Sequence, residues 1–163
     1  SRPLATAASA AVLAHLERAF RDGADLEART RVAEGSLLGA LAFAQSGLGA
    51  VHGLAHPIGH ALSLPHGLTC AILLPHILRL NLPACREALD GLAMATGHRD
   101  ADALIDGIDG LCRRLGVPEG FAAYRLAEAD LETIIANCRS GSMKANPRDL
   151  DDDTLRELLQ QLS

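Results

Sequence analysis

Five of the chain's seven histidines lie in one apolar, alanine-rich segment. Four fall within "VHGLAHPIGHALSLPHG", residues 51–67, and the fifth follows ten residues after the fourth. The five are His52, His56, His60, His66 and His76. An imidazole can bind a metal, carry a proton or serve as an ordinary polar group. A single histidine is more often structural, but this concentration favours a functional site.

The spacing of the histidines indicates which of them can converge. His52 and His56 are four residues apart, so on a helix their side chains share one face. His60 continues this spacing, although the proline and glycine between it and His56 weaken the case for a straight helix. A Leu-Pro pair precedes His66 and predicts a rigid loop tip that can return this imidazole to the helix face. Two or three histidines can therefore converge on one metal ion.

Carboxylates, the other common ligands of such ions, are missing from this segment. No acidic residue occurs between Glu34 and Glu87. A metal site needs several ligands that converge from separate places in the chain. The histidine segment therefore cannot complete a histidine–carboxylate site by itself.

Two other patterns are weaker signals. The string "GLGAVHG", residues 47–53, imitates a dinucleotide-binding fingerprint. Its glycines stand at the wrong positions, however, and it follows a helix instead of a strand. Cys138 could be a site residue, but a buried free thiol is the commoner interpretation of such a cysteine.

The composition is that of a globular helical protein without a nucleic-acid surface. The chain has 163 residues, enough for one domain with a real core, and 48% of them are hydrophobic. It contains three Phe, one Tyr and no Trp. The core must therefore be built from Leu, Ala, Ile and Val, which suits close packing of helices. A formal net charge of −5 argues against nucleic-acid binding.

The cysteines and the hydropathy pattern favour a cytoplasmic location. The four cysteines are far apart and form no CxxC pair, which indicates reduced thiols and not a disulfide or zinc-ribbon framework. They are Cys70, Cys85, Cys112 and Cys138. No continuous apolar run reaches the roughly 18 to 20 residues needed to cross a bilayer. We therefore expect a protein that is not embedded in a membrane.

Helical periodicity dominates the chain, and strand signals are scarce. The predicted helices are residues 5–21, 25–45, 68–81, 83–95, 100–115, 127–139 and 154–162. Pro75 is expected to bend the third of them, because proline has no N–H to donate to the preceding turn. Thr154 and Glu157 predict a capping box at the start of the last. Phe20, Leu41 and Phe43 are assigned to the buried faces of the first two helices.

The string "GLGAVHGLAHPIGHALSLPHGLTCAILLPHILRLN", residues 47–81, resembles the signature of the iron-containing (group III) alcohol dehydrogenases. The resemblance extends to "GSLLGALAFAQ" before it and to "ANPRDL" near the end, and so covers essentially the whole chain. It implies an all-α fold. That fold is a helical bundle like the C-terminal domain of the dehydroquinate synthase-like and iron-containing alcohol dehydrogenases.

The resemblance also implies roles for particular residues. His52 and His66 match two histidine ligands of a divalent metal, and their spacing of fourteen residues is the family's spacing. His56 matches the histidine near the nicotinamide and the substrate, which implies a catalytic part in proton transfer. Phe43 and Cys138 match positions that border the cofactor site. His60 stands where the family pattern varies.

The implied reaction is hydride transfer between an alcohol or aldehyde and NAD or NADP. The implied metal is Fe²⁺ or Zn²⁺, and neutral imidazoles suit either ion. Bound to the substrate oxygen, such an ion acts as a Lewis acid. The resemblance further implies a homodimer.

Two parts of the family pattern are missing from this sequence. The family has an Asp-x-x-x-His pair on an upstream helix, whereas His15 is the only histidine before His52 and Ala11 lies four residues before it. The family's N-terminal dinucleotide-binding domain is also missing. We therefore expect residues 1–163 to be the C-terminal helical metal-binding domain of a longer enzyme, inactive on its own. The alternatives are a maleylacetate-reductase-like enzyme domain and a free-standing helical interaction module with vestigial histidines.

Overall fold

The computed structural model describes all 163 residues, and every regular element in it is a helix. The predicted all-α class is therefore confirmed. Seven α-helices are joined by turns, with short 3₁₀ turns at residues 122–124 and 143–145. The helices are α1 (Arg2–Arg21), α2 (Leu26–Ser46), α3 (Ala50–Leu62), α4 (His66–Ala95), α5 (Ala101–Arg114), α6 (Glu128–Asn137) and α7 (Asp152–Leu162).

The chain forms two compact units, where its length alone suggested one domain. The first unit comprises Ser1–Gly47 and Cys85–Leu115, and the second comprises Leu48–Ala84 and Gly116–Ser163. The chain passes from one unit to the other within α4. At that point Cys85 has φ −137° and ψ 20°, outside the helical region. The only residue inside α4 with non-helical backbone angles follows Pro83, and the bend expected at Pro75 stays a prediction.

In the first unit, small residues bring α1 and α2 close together. The buried residues of α2 are Ala28, Gly35 and Ala42, spaced seven apart. A Cβ on Gly35 would lie 3.1 Å from the carbonyl oxygen of Ala8 in α1. Such an approach leaves no room for large side chains at this contact. The burial predicted for Phe20, Leu41 and Phe43 is accordingly wrong: all three are exposed, because the small residues occupy the contact face.

The second unit has an aliphatic core with a single buried Phe. Phe121 is fully buried there, together with Leu54 and Ile58 of α3. The other fully buried large side chains in this core are Ile72, Leu73, Leu131, Ile134, Leu150, Leu155 and Leu159. This matches the expectation that aliphatic residues make the core.

Helix α4 is long and apolar enough to cross a membrane by length and composition alone. Its most apolar 18-residue window has a mean hydropathy of 1.4, and 39% of that window is buried inside the protein. Ile72, Leu73 and Ile77 of this helix belong to the core of the second unit. A count of continuous apolar runs missed this helix because polar residues interrupt the run.

Helix α7 begins differently from the prediction. Its N-cap is Asp151, whose carboxylate accepts a hydrogen bond from the Thr154 N–H at 2.8 Å. The predicted capping box between Thr154 and Glu157 is therefore wrong. An aspartate accepts at an N-cap at least as well as a threonine, and the acidic run before the helix supplies one.

Candidate metal centre

Helix α3 carries His52 and His56, and it runs without interruption through Pro57. The proline was expected to weaken the helix, but it does not break it. The N-terminus of α3 is fixed by Asn146, whose side-chain oxygen accepts a hydrogen bond from the Ala50 N–H at 3.1 Å. A glycine at position 53 lets α3 lie against the backbone of the second unit, since a Cβ there would be 3.1 Å from the Cys138 carbonyl oxygen.

A tight turn after α3 brings His66 back towards the histidines of that helix. Ser63 adopts the left-handed conformation with φ 53°, and the Leu64 N–H donates to the Gly59 carbonyl at 3.0 Å. Helix α4 then begins at His66 itself. Thr69, fully buried, donates through its backbone N–H and its hydroxyl to the Pro65 carbonyl, at 3.1 and 3.2 Å. The loop tip predicted from the Leu-Pro pair is thus a one-turn reversal between two helices.

The reversal brings three imidazoles together around His66. The ring centroids of His52 and His66 are 5.3 Å apart with the planes tilted by 52°. Those of His56 and His66 are 4.9 Å apart and stacked at 25°. The convergence that the spacing predicted for His52, His56 and His66 is therefore present.

A fourth side chain, Cys70, joins this group and was missed in the sequence. Its Sγ lies 3.4 Å from Nε2 of His66, one helical turn earlier in α4. One ligand atom each from His52, His66 and Cys70 lie within 4.8 Å of one another. The signal that could have found it is the spacing His66-x-x-x-Cys70, which on a helix places both side chains on one face.

The surroundings of His52 favour its neutral form. Burial lowers the pKa of His52 below its ordinary value, and the nearby imidazoles of His66 and His56 lower it further. A metal ligand must be deprotonated, so a neutral imidazole is ready to bind a cation. Burial also raises the pKa of the Cys70 thiol. Without a cation, this sulfur is therefore protonated at neutral pH.

The residues present fit a divalent cation with nitrogen and sulfur ligands. In a tetrahedral site with ordinary Zn–N and Zn–S bonds, two nitrogens lie about 3.4 Å apart and a nitrogen and a sulfur about 3.6 Å apart. The 3.4 Å separation of Cys70 Sγ and His66 Nε2 agrees with this geometry. All three ligand atoms lie within 4.8 Å of one another, so a small movement of the His52 side chain is enough to bring its nitrogen to the ideal separation.

His56 also faces a cleft between α3 and α6. The cleft has a volume of about 510 Å³. Its lining residues are His56, Pro57, His60 and Ala61 of α3, and Asp130, Thr133, Ile134 and Asn137 of α6. An exposed imidazole beside the histidine cluster and at the edge of a cleft can exchange a proton with a bound molecule.

The remaining predicted site residues are not in the histidine cluster. Phe43 lies near the end of α2 in the first unit and is 46% exposed. Cys138 is fully buried in the core of the second unit, where its Sγ donates to the Ile135 carbonyl at 3.2 Å. The assignment of both residues to a cofactor site stays a prediction. Nε2 of His76 lies 3.3 Å from the Glu119 carbonyl oxygen, which is a structural contact.

Comparison with known proteins agrees with this fold. Residues 3–163 match the profile of the Fe-containing alcohol dehydrogenase family, C-terminal. The 4-hydroxybutyrate dehydrogenase of Cupriavidus necator is 33% identical over 157 residues, which are 90% of this chain and 41% of that protein. The chain therefore spans about two fifths of the length of this curated relative.

Solved structures show the same helical arrangement. The crystal structure of a 1,3-propanediol oxidoreductase superposes with a TM-score of 0.94 at 29% identity, over 99% of this chain and 44% of that one. The sulfoacetaldehyde reductase of Bifidobacterium kashiwanohense, solved in complex with NAD⁺, gives a TM-score of 0.92 at 27% identity, over 98% and 43%. The chain belongs to the iron-containing alcohol dehydrogenase family, and it matches the C-terminal region of that family.

Proposed function

We propose that residues 1–163 form the C-terminal helical, metal-binding domain of a longer, metal-dependent alcohol dehydrogenase. The observation that carries this proposal is the approach of His52 and His66, fourteen residues apart in sequence and 5.3 Å apart between ring centroids. Family membership and the presence of NAD⁺ in the sulfoacetaldehyde reductase support it. The missing partner is an N-terminal nucleotide-binding domain.

In this proposal, His52 and His66 hold a divalent cation, Fe²⁺ or Zn²⁺, through neutral imidazole nitrogens. When bound, the cation supplies Lewis acidity towards the oxygen of an alcohol or aldehyde substrate. The lowered pKa of His52 favours the form that binds it. NAD or NADP, bound by the rest of the longer enzyme, would supply the hydride chemistry at the substrate carbon.

His56 is proposed to handle the proton of the alcohol. Its imidazole is exposed, stacks on His66 at 4.9 Å and lines the cleft beside α6. An imidazole in this position can take up the hydroxyl proton at a ring nitrogen and pass it to water in the cleft. Phe43 and Cys138 are proposed to border the cofactor. The complete enzyme is proposed to be a cytoplasmic homodimer.

The two alternatives are less well supported. A maleylacetate-reductase-like domain would depend less on metal, whereas His52 and His66 of this chain have ligand atoms within 4.8 Å of each other. A helical interaction module does not require three imidazoles to converge, so it leaves this arrangement unexplained. Exposed apolar residues such as Phe20, Leu37 and Leu41 do not distinguish the interaction module from the enzyme domain. A domain without its partner exposes apolar surface as well.

Calorimetric titration of the purified chain with Zn²⁺ tests the proposal. We expect binding of one ion per chain, and a loss of affinity of at least about tenfold in each of His52→Ala and His66→Ala, since even residues that only support metal ligands have effects of this size. His60→Ala is the matched control, because it removes an exposed imidazole on α3 outside the cluster, and its affinity should be unchanged. Equal affinity in all four proteins would overturn the metal-binding role.

The same protein tests its status as part of a longer enzyme. We expect no oxidation of alcohols by NAD⁺ when the purified chain is loaded with Zn²⁺ or Fe²⁺, because no nucleotide-binding domain is present. A rate that is abolished by His52→Ala would contradict the proposal and would make the 163 residues a complete dehydrogenase.

A further inference from the structure

We infer that Cys70 supplies a thiolate as a third ligand to the cation held by His52 and His66. This inference rests on the proposed metal-binding function and extends it to a residue that residue spacing alone did not assign to the site. It assigns a His₂Cys donor set to the second unit of this chain alone.

The first argument is the distance between donor atoms. Cys70 Sγ and His66 Nε2 are 3.4 Å apart, and the three ligand atoms fall within 4.8 Å of one another. Nitrogen and sulfur ligands of one tetrahedral cation are separated by about 3.6 Å. The pair already has the spacing that a shared cation imposes.

The second argument is the scaffold that holds the sulfur. His66 and Cys70 stand one turn apart at the start of α4, and the fully buried Thr69 between them ties this turn to the Pro65 carbonyl. His52 approaches from α3, a different helix. Two rigid elements thus supply the three donors, and Cys70 itself is only partly buried, so its sulfur is open to a cation.

The third argument is chemical. Coordination replaces the S–H bond of Cys70 by a metal–sulfur bond and releases one proton to solvent, with no change in oxidation state. A thiolate is a softer ligand than the imidazoles alone, and it favours Zn²⁺ over harder cations. A set of two nitrogens and one sulfur does not fill a tetrahedral site, so the remaining position is free for a ligand from elsewhere in the longer enzyme or for a substrate oxygen.

The competing explanation is a hydrogen bond between the thiol and the imidazole, with no part in metal binding. Such a bond needs only Cys70 and His66, and it would leave the ligand field of a bound cation unchanged. The two explanations differ in whether the sulfur bonds to the metal, so a spectroscopic readout separates them.

Co²⁺ substitution is the decisive experiment. Bound Co²⁺ gives d–d bands in the visible range, and a thiolate ligand adds a sulfur-to-cobalt charge-transfer band in the near ultraviolet. We expect both in the intact 163-residue chain under reducing conditions. Cys70→Ser and Cys70→Ala should lose the charge-transfer band and keep the d–d bands, while Cys112→Ser, which changes a half-buried thiol of the first unit, should keep both.

The outcomes distinguish this inference from the function on which it rests. Visible bands without a charge-transfer band, or a charge-transfer band that survives both Cys70 substitutions, would overturn the role of Cys70 and leave the histidine site standing. The absence of both bands in the intact chain would overturn both proposals. Circular dichroism of each variant shows that it is folded, and the serine and alanine variants must agree.

Discussion

Asn81 and Asn146 exchange two hydrogen bonds, each 2.8 Å long, in which the Nδ2 of either side chain donates to the Oδ1 of the other. Asn81 lies in α4, and Asn146 follows the 3₁₀ turn at residues 143–145. Oδ1 of Asn146 also accepts from the N–H of Ala50, the first residue of α3. The pair therefore ties the beginning of the helix that carries His52 to the helix that begins at His66.

We expect Asn146→Ala to destabilise the protein and to weaken metal binding together. The substitution removes the acceptor of the Ala50 N–H and both bonds to Asn81, which is buried. A buried polar group that loses a hydrogen bond costs about 1 to 3 kcal/mol in the free energy of unfolding. Urea unfolding measures that loss, and Zn²⁺ titration measures the effect on the histidine site.

A double-mutant cycle with Asn81→Ala isolates the exchange between the two amides. Residues in direct contact couple by about 0.5 kcal/mol or more, so the effects of the two single substitutions should not add. Additive effects would show that each asparagine acts through other neighbours. Asn137→Ala is the control, since that side chain bonds only within its own exposed turn, to the Thr133 carbonyl.

Gly53→Ala should destabilise the second unit although alanine favours helices. The new Cβ would lie 3.1 Å from the Cys138 carbonyl oxygen and 3.1 Å from Cε of Met143. Met143 can move, but the backbone at Cys138 cannot move without shifting the end of α6. Overpacking of this kind costs about 1 to 3 kcal/mol, more than the gain of up to about 1 kcal/mol from helix propensity.

Gly91→Ala is the matched control, because no atom lies within 4 Å of a Cβ at this position in α4. We expect it to raise the free energy of unfolding by up to about 1 kcal/mol. Urea unfolding of both variants is the measurement. If Gly53→Ala were as stable as Gly91→Ala, the close contact between α3 and the Cys138 backbone would not be required for the fold.

Phe121→Ala should be among the most damaging single substitutions. Phe121 is fully buried in the aliphatic core of the second unit. Replacing a buried Phe by Ala leaves a cavity and costs about 3 to 5 kcal/mol. Phe20→Ala, at a residue that is 64% exposed, should change the free energy of unfolding by less than about 0.5 kcal/mol. Similar losses in the two variants would contradict the burial of this side chain.

Asp25 makes stability depend on pH in the acid range. Its carboxylate accepts the Ala28 N–H at 2.9 Å as the N-cap of α2, and it pairs with Arg18 at 2.8 Å. The hydrogen bond from Ala28, followed by the contact with Arg18, lowers the pKa of this carboxyl below its ordinary value of 3.8. Because the pKa is lower in the folded state, the stabilisation is complete above about pH 4 and is lost as the pH falls through the folded-state pKa.

Asp25→Asn keeps an N-cap acceptor but removes the titrating group. We expect its free energy of unfolding to change less than that of the wild type between about pH 2 and pH 4. Glu27→Gln is the control, since it removes the other carboxylate paired with Arg18 and leaves the cap intact. Urea unfolding across this pH range is the measurement, and an equal flattening in both variants would assign the effect to Arg18 and not to the cap.

Local patterns predicted much of this fold because helices depend on neighbours in sequence. The reversal at Leu64 and Pro65 and the face shared by His52 and His56 follow from residue spacing alone. The burial of α2 could not be predicted in the same way. Its contact with α1 is set by Ala28, Gly35 and Ala42, so the larger apolar side chains that carry most of the hydropathy signal remain exposed.

The part of Cys70 in the cluster depends on tertiary structure in a similar way. Its spacing from His66 is visible in the sequence, but it can act as a ligand only because His52, on another helix, lies close to both residues. The kink of α4 at Cys85 also depends on context, because this residue lies where the chain passes from one unit to the other.

The three donors of the proposed site all come from residues 52 to 70, a short α3–turn–α4 hairpin. Closing so short a loop costs little conformational entropy compared with closing one across the whole chain. The geometry of the donors therefore depends on one local connection and not on contacts distant in sequence. During synthesis, this hairpin leaves the ribosome before α5, α6 and α7, so all three donors are present before the helices that complete the second unit.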